Sequence, residues 1–118
     1  MQRQRRSFRQ VTDKLRGAIG FSMKAGKCSS GEFAADKAFT SRRAKLVLLD
    51  ERASLATRDR WKRRCQVHEV PYLEVTGIGE AIGKENRMVA AIVDDGFAAM
   101  IIKAANSDLT HNGGAMND

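Results

Sequence analysis

Leu46-Val47-Leu48-Leu49 decides the fold of this chain. The run is continuously apolar and sits between charged residues. A run this short and this uniform predicts a strand covered on both faces, as in a sheet sandwiched by helices. Met88-Val89-Ala90-Ala91-Ile92-Val93 reads as a second fully apolar strand. Between them, Pro71 opens a shorter strand, Tyr72-Leu73-Glu74-Val75, at a position where proline is tolerated.

Helical patterns alternate with these strands. Ser7-x-x-Gln10 offers a capping box, and Phe8, Val11, Leu15, Ala18, Ile19, Ser22 and Met23 then keep helical spacing up to Gly26. Ser29-x-x-Glu32 is a second capping box, predicting a helix over about 31–41 with Ala34, Ala35, Ala38 and Phe39 inward. Ser54 is placed to cap a third helix reaching His68. Its Trp61, Cys65 and His68 read as a buried face, and Arg58, Arg60, Lys62, Arg63 and Arg64 make the remainder basic. Gly77 to Gly83 allows a short helix, and Asp94-Asp95-Gly96 begins a last one over 97–105. The alternation predicts the α/β class, as a three-layer α/β/α sandwich.

The length of 118 residues fits one domain, and 42% hydrophobic composition suffices for a core. Residues 1–6 read as a basic flexible arm, 7–105 as one domain, and 106–118 as a polar tail expected to be disordered. Lys and Arg total 21 against 14 Asp and Glu, a net charge of +7. That excess points to a polyanionic partner, nucleic acid or an anionic membrane surface. No apolar run approaches bilayer length, and no apolar segment follows the basic N-terminus, so the expected location is the cytoplasm. Two cysteines, Cys28 and Cys65, predict no disulfide framework and fit a reducing compartment. Cys65-x-x-His68 is a lone half-motif whose residues read as packing inward; no metal or other cofactor is expected.

Gly26-Lys27-Cys28-Ser29-Ser30-Gly31-Glu32 places a lysine and glycines around a helix start. Free N–H groups and the positive end of the dipole make such a start a phosphate-binding surface. A nucleotide-binding P-loop is ruled out, because Glu32-Phe33 follows Gly31 where Lys-Ser/Thr is needed. A dinucleotide fingerprint at Gly77-x-Gly79 fails as well, its third glycine, Gly83, falling one residue late. Asp94-Asp95 suits a helix cap better than a metal. No nucleophile–base pairing stands out, and a non-catalytic protein is expected.

The segments together carry a resemblance. Gly26-Lys27-x-x-Ser30-Gly31-Glu32 leads to Lys37-Ala38-Phe39 and Ala44-Lys45-Leu46-Val47-Leu48-Leu49. Cys65, Val70-Pro71-Tyr72, the stretch Ile78-Gly79-Glu80-Ala81-Ile82-Gly83-Lys84-Glu85-Asn86-Arg87 and Val89-Ala90-Ala91-Ile92 follow in order. Over about residues 15–105 this pattern resembles the ribosomal protein L7Ae/L30e family, in particular its small bacterial YlxQ-type branch. The resemblance implies a central mixed sheet of about four strands, including a short one near residues 27–29. It also implies RNA as the partner, ribosomal or otherwise structured, in a protein that is ribosome-associated and monomeric when free.

The family grips a kink-turn, a bent internal loop with tandem sheared G·A pairs, by the start of the second helix and the loop before the last strand. By that resemblance the site residues are Ser30, Gly31, Glu32 and Lys37 on one side, and Lys84, Glu85, Asn86, Arg87 and Met88 on the other. Lys27 and Lys37 would neutralise phosphates, and Gly31 would let backbones approach. Asn86 would meet base edges and Arg87 phosphate or guanine. Met88 reads either as a base contact or as the first core residue of its strand. Arg42, with Arg43 and Lys45, reads as an extension of the basic face or as a solvated helix end. The family's Asn-Glu pair, one helical turn before the matching lysine, falls here on Phe33 and Ala34, neither of whose side chains can hydrogen-bond a base. Phe33 reads as packing on the first helix or stacking on a base. Two other readings are an accessory substrate-binding domain of an RNA-modifying enzyme, or a protein-interaction module that has lost RNA specificity.

Overall fold

The computed structural model describes the backbone of residues 9–10 and 13–117, and the side chains of 13–106. The elements are β1 (Arg9–Gln10), α1 (Asp13–Lys24), β2 (Cys28–Ser30), α2 (Glu32–Thr40), β3 (Leu46–Asp50), α3 (Leu55–His68), β4 (Tyr72–Thr76), α4 (Ile78–Ile82), β5 (Val89–Ile92) and α5 (Asp95–Asn117). They form one mixed sheet in the order β1-β4-β3-β5-β2. β3 runs parallel to β4, with Val47 opposite Tyr72, and antiparallel to β5, with Leu48 opposite Ala90. β2 closes one edge antiparallel to β5, and the two-residue β1 closes the other parallel to β4.

Every residue of β3 and β5 is buried, as uniformly apolar runs require when both sheet faces are covered. Alternate side chains feed two cores. Leu46, Leu48, Ala90 and Ile92 pack with Leu15 and Ile19 of α1, Ile78 and Ile82 of α4, and Ile101 of α5. Val47, Leu49, Val89 and Ala91 pack with Ala35, Ala38 and Phe39 of α2 and with Trp61 and Cys65 of α3. Helices therefore cover both faces, and the three-layer α/β/α sandwich holds.

Most boundaries follow local chemistry. Ser54 caps α3 by accepting from the Thr57 N–H at 3.1 Å. Asp94 caps α5 by accepting from the Phe97 N–H at 2.9 Å. At the end of α1, Gly26 takes φ +73 and the Lys27 N–H bonds the Ser22 carbonyl at 2.8 Å, a left-handed stop.

Four expectations are corrected. The first helix begins at Asp13, since Arg9–Gln10 pair with Val75 and Thr76 as a strand; Ser7, Phe8, Val11 and the arm at 1–6 lie outside the described residues. The Ser29–Glu32 capping box does not form, because Ser29 and Ser30 belong to β2 and Gly31 is the cap residue. His68 is exposed, its ring meeting Phe39 edge-on at 5.6 Å, because α3 turns its last residues away from the sheet. The last helix does not stop near residue 105 but continues through the polar tail to Asn117, since extending a formed helix costs far less than nucleating one.

Candidate nucleic-acid interface

Two distant segments meet at one end of the sheet. The Gly31 N–H donates to the Val89 carbonyl at 2.8 Å, which fixes the start of α2 against the start of β5. Gly31 adopts φ 94, ψ 151, a conformation open essentially to glycine alone. Its bare Cα faces Arg87, whose guanidinium stem runs past it. Among the described residues no side chain caps α2, so the first N–H groups of this nine-residue helix stay available to an anion.

The loop at 84–88 is shaped by α4. The Lys84 N–H bonds the Gly79 carbonyl at 2.8 Å, and the Arg87 N–H bonds the Lys84 carbonyl at 3.2 Å. A Cβ at Gly79 would stand 2.6 Å from the Lys84 carbonyl oxygen and 2.8 Å from that of Glu85. Only glycine lets the loop backbone pass this close. Lys84, Glu85 and Asn86 are exposed, and Arg87 and Met88 are half-buried. The buried Nε of Arg87 has no hydrogen-bond partner among the described residues. Met88 packs against the second core, as its reading as a core residue of the strand expects, and also helps line an open depression with Arg52, Gly77, Glu80, Glu85 and Asn86.

Asp50 anchors this end. Its buried carboxylate accepts from the N–H groups of Gly77 at 3.1 Å and Ile78 at 2.8 Å, and from Arg52 N–H at 2.9 Å and Nε at 3.1 Å. Burial pushes the Asp50 carboxyl up. The hydrogen bonds from Arg52 and Ile78 and the Arg52 charge outweigh that and hold it below its ordinary value. The anchor ties β3 to the α4 turn from which the loop departs.

The basic face of α3 is largely spent on structure. Arg60 pairs with Glu32, and the Trp61 Nε1–H reaches the same carboxylate at 3.3 Å. Arg64 pairs with Asp36 at 2.8 Å and lies over the Trp61 and Phe39 rings at 4.4 and 4.6 Å. Arg58 and Lys62 both approach Glu74, at 3.8 and 3.4 Å. These pairs clamp α3 to α2 and to β4.

The site residues expected from sequence therefore divide. Ser30, Gly31 and Glu32 join Lys84, Glu85, Asn86, Arg87 and Met88 at one end, with exposed Lys37 on the second turn of α2. Lys27 lies at the other end of β2, where its carbonyl accepts from the Val93 N–H at 2.9 Å. Four residues of extended chain, about 13 Å, separate it from Gly31. Arg42 also lies away from the helix start: it follows the C-terminus of α2 with φ 64, and Lys45 just beyond it bonds Ile92. Glu32 faces Arg60 rather than standing free. Sequence reasoning passed over Arg52 and Glu80, which a six-residue depression brings in, and the fixing role of Arg60 and Trp61.

Both thiols lie outside this surface chemistry. Burial pushes Cys28 and Cys65 up to about 11, opposed weakly by a Ser22 hydrogen bond and by the Arg64 charge respectively. Among the described residues no helix is long and apolar enough to cross a membrane.

Fold and surface together define a small α/β/α domain whose uncapped second helix and pre-strand loop converge at one end of a mixed sheet. Residues 13–102 match the ribosomal protein L7Ae/L30e/S12e/Gadd45 family. The chain is 41% identical over 87 residues to the RNA-binding protein YlxQ of Bacillus subtilis, covering 71% of this chain and 87% of that protein. It is 36% identical over 88 residues to the RNA-binding protein YlxQ of Enterococcus faecium, covering 72% and 84%. A solved Bacillus halodurans protein of unknown function superposes with a TM-score of 0.75 at 26% identity, over 80% of this chain and 99% of that one. The Giardia lamblia 15.5kD RNA binding protein superposes at 0.64 and 18% identity, over 80% and 83%, a likeness of fold. The chain belongs to the L7Ae/L30e/S12e/Gadd45 family, in its YlxQ-type branch.

Proposed function

We propose that this protein is a non-catalytic, ribosome-associated RNA-binding protein of the cytoplasm that grips structured RNA with the start of α2 and the loop at 84–88. The supporting observation is the convergence of those two segments: Gly31 bonds Val89, and Arg87 lies on Gly31 with a buried Nε that has no partner among the described residues. Free helix N–H groups and Lys37 supply phosphate contacts on one side of the junction, and Lys84 and Arg87 on the other. Asn86, exposed at the loop tip, carries the donor and acceptor that read a base edge. The curated relatives that cover most of this chain are named RNA-binding proteins, which adds weight to RNA as the partner.

The same surface weakens the case for a standard kink-turn. The side chains of Phe33 and Ala34 present no hydrogen-bonding group where tandem G·A pairs would be read. The expected preference for a kink-turn over the same looped RNA with its G·A pairs made Watson–Crick is under about tenfold. The test is a paired titration with a kink-turn RNA and a control whose G·A pairs are Watson–Crick. A preference of a hundredfold or more would show that other groups, Glu32 and Asn86 foremost, supply that readout. Absence of binding to either RNA at low salt would refute the RNA-binding reading itself.

A further inference from the structure

Phe33 stands 83% exposed on the first turn of α2, more than any other exposed large apolar side chain of the described residues. It belongs to neither core and does not pack on α1. Its neighbours explain which way it faces. Glu32 and Asp36, four residues apart, form one stripe of α2, and that stripe is tied to Arg60 and Arg64 of α3. Phe33 and Lys37 form the adjacent stripe, turned about 100° from the first. Among the described residues neither carries an ion pair, and both are exposed. The two carboxylates of α2 are thus neutralised towards α3. The open stripe offers a bare aromatic ring, a free ammonium group and, at its N-terminal end, uncapped backbone N–H groups.

A phenyl ring has no hydrogen-bonding group and recognises another molecule by its face. Its cationic surroundings select a π-surface attached to a negative charge. An unpaired nucleobase with its phosphate meets both demands, whereas a greasy protein side chain gains nothing from Lys37 or the helix N–H groups. We propose that Phe33 is a stacking platform for one unpaired nucleobase of a bound RNA, with Lys37 and the first N–H groups of α2 holding the adjoining phosphate. This deepens the RNA-binding reading above and rests on it.

The test uses the full chain and two RNA hairpins, one with a three-nucleotide bulge carrying 2-aminopurine and one with the bulge deleted. Wild-type protein is expected to prefer the bulged hairpin by about 5- to 150-fold, the range of one aromatic–base stack, and to change the 2-aminopurine fluorescence. Phe33→Leu, apolar but without a ring, is expected to lose both the preference and the fluorescence change. Phe33→Trp is expected to keep them. Circular dichroism and thermal melting check that each variant is folded. A Phe33→Leu protein that retains the preference overturns the proposal, as does equal weakening on both hairpins. An unchanged preference accompanied by loss of a protein partner would assign the ring to protein contact and also overturn it. Lys37→Ala/Arg87→Ala separates the two levels. If that variant weakens both hairpins while Phe33→Leu keeps the preference, the RNA surface stands and the stack falls; if wild type binds neither hairpin, both fall.

Discussion

Arg87 lies along Gly31. A Cβ at Gly31 would stand 3.4 Å from Arg87 Cδ and 3.6 Å from its Nε and Nη1. Residues far apart in sequence are thereby held side by side, one at the start of a helix and one at the start of a strand. A side chain would find ordinary contact distances here, so it is the backbone at φ 94 that calls for glycine at this position. The half-buried Arg87 stem is thus seated against the helix start before any ligand arrives.

Gly31→Ala is expected to lower stability by about 1–3 kcal/mol through backbone strain at φ 94. Relief of that strain should also shift the helix start on which Arg87 lies and weaken RNA binding in the protein that remains folded. Urea unfolding measures the first effect, and titration with a structured RNA well below the unfolding midpoint measures the second. Wild-type affinity in the folded variant would mean that Arg87 does not need its seat on Gly31.

Much of this was legible in the sequence. Leu46–Leu49 and Val89–Ile92 were readable as doubly covered strands because uniform apolarity leaves no solvent face. Ser54 marked the start of α3 because its hydroxyl has one productive partner, an N–H three residues on. Ser29 misled, since a hydroxyl three residues before a glutamate looks the same whether it caps a helix or ends a strand. The antiparallel pairing of Cys28–Ser30 with Ala90–Ile92 settled that choice, and pairing between distant segments leaves no local trace. The candidate site was half readable. Composition showed that α3 is basic but could not show that Glu32, Asp36 and Glu74 engage most of its cations. Nor could it show that Lys27 and Arg42 fall at the far end of the sheet, because the direction of β2 and α2 decides that.

Asp50 predicts a pH dependence. In the unfolded chain its carboxyl titrates near 3.9. In the folded protein it is held lower, so the native state binds fewer protons through that range. The contribution is present above about pH 4 and is lost as the pH falls through the folded value. Asp50→Asn is expected to cost about 1–3 kcal/mol at pH 7, since the amide cannot satisfy Gly77, Ile78 and Arg52 together. It should also flatten the fall in stability between pH 5 and 3. Urea midpoints at pH 7, 5, 4 and 3 for both proteins give the comparison, and parallel curves would rule out Asp50 as a source of the acid lability.

Glu32 predicts an effect on RNA affinity opposite to the one its position suggests. The sequence places it among RNA-contacting residues, yet the structure pairs it with Arg60 and the Trp61 N–H. Both partners of the ion pair are about half exposed, so the pair contributes at most about 1 kcal/mol to stability. Its larger consequence is electrostatic: a carboxylate sits at the positive end of α2 and occupies a cation that would otherwise face phosphate. Glu32→Gln removes one negative charge and releases Arg60. RNA binding should tighten several-fold, and the slope of log K against log salt should steepen by about 0.7–0.9 if Arg60 takes up one more phosphate. Arg60→Ala should act the other way, because Glu32 is then left uncompensated beside the ligand. Salt titrations of wild type and both variants on one hairpin measure the two slopes. A folded Glu32→Gln protein that binds tenfold more weakly would put the carboxylate in direct contact with RNA, accepting from a base rather than from Arg60.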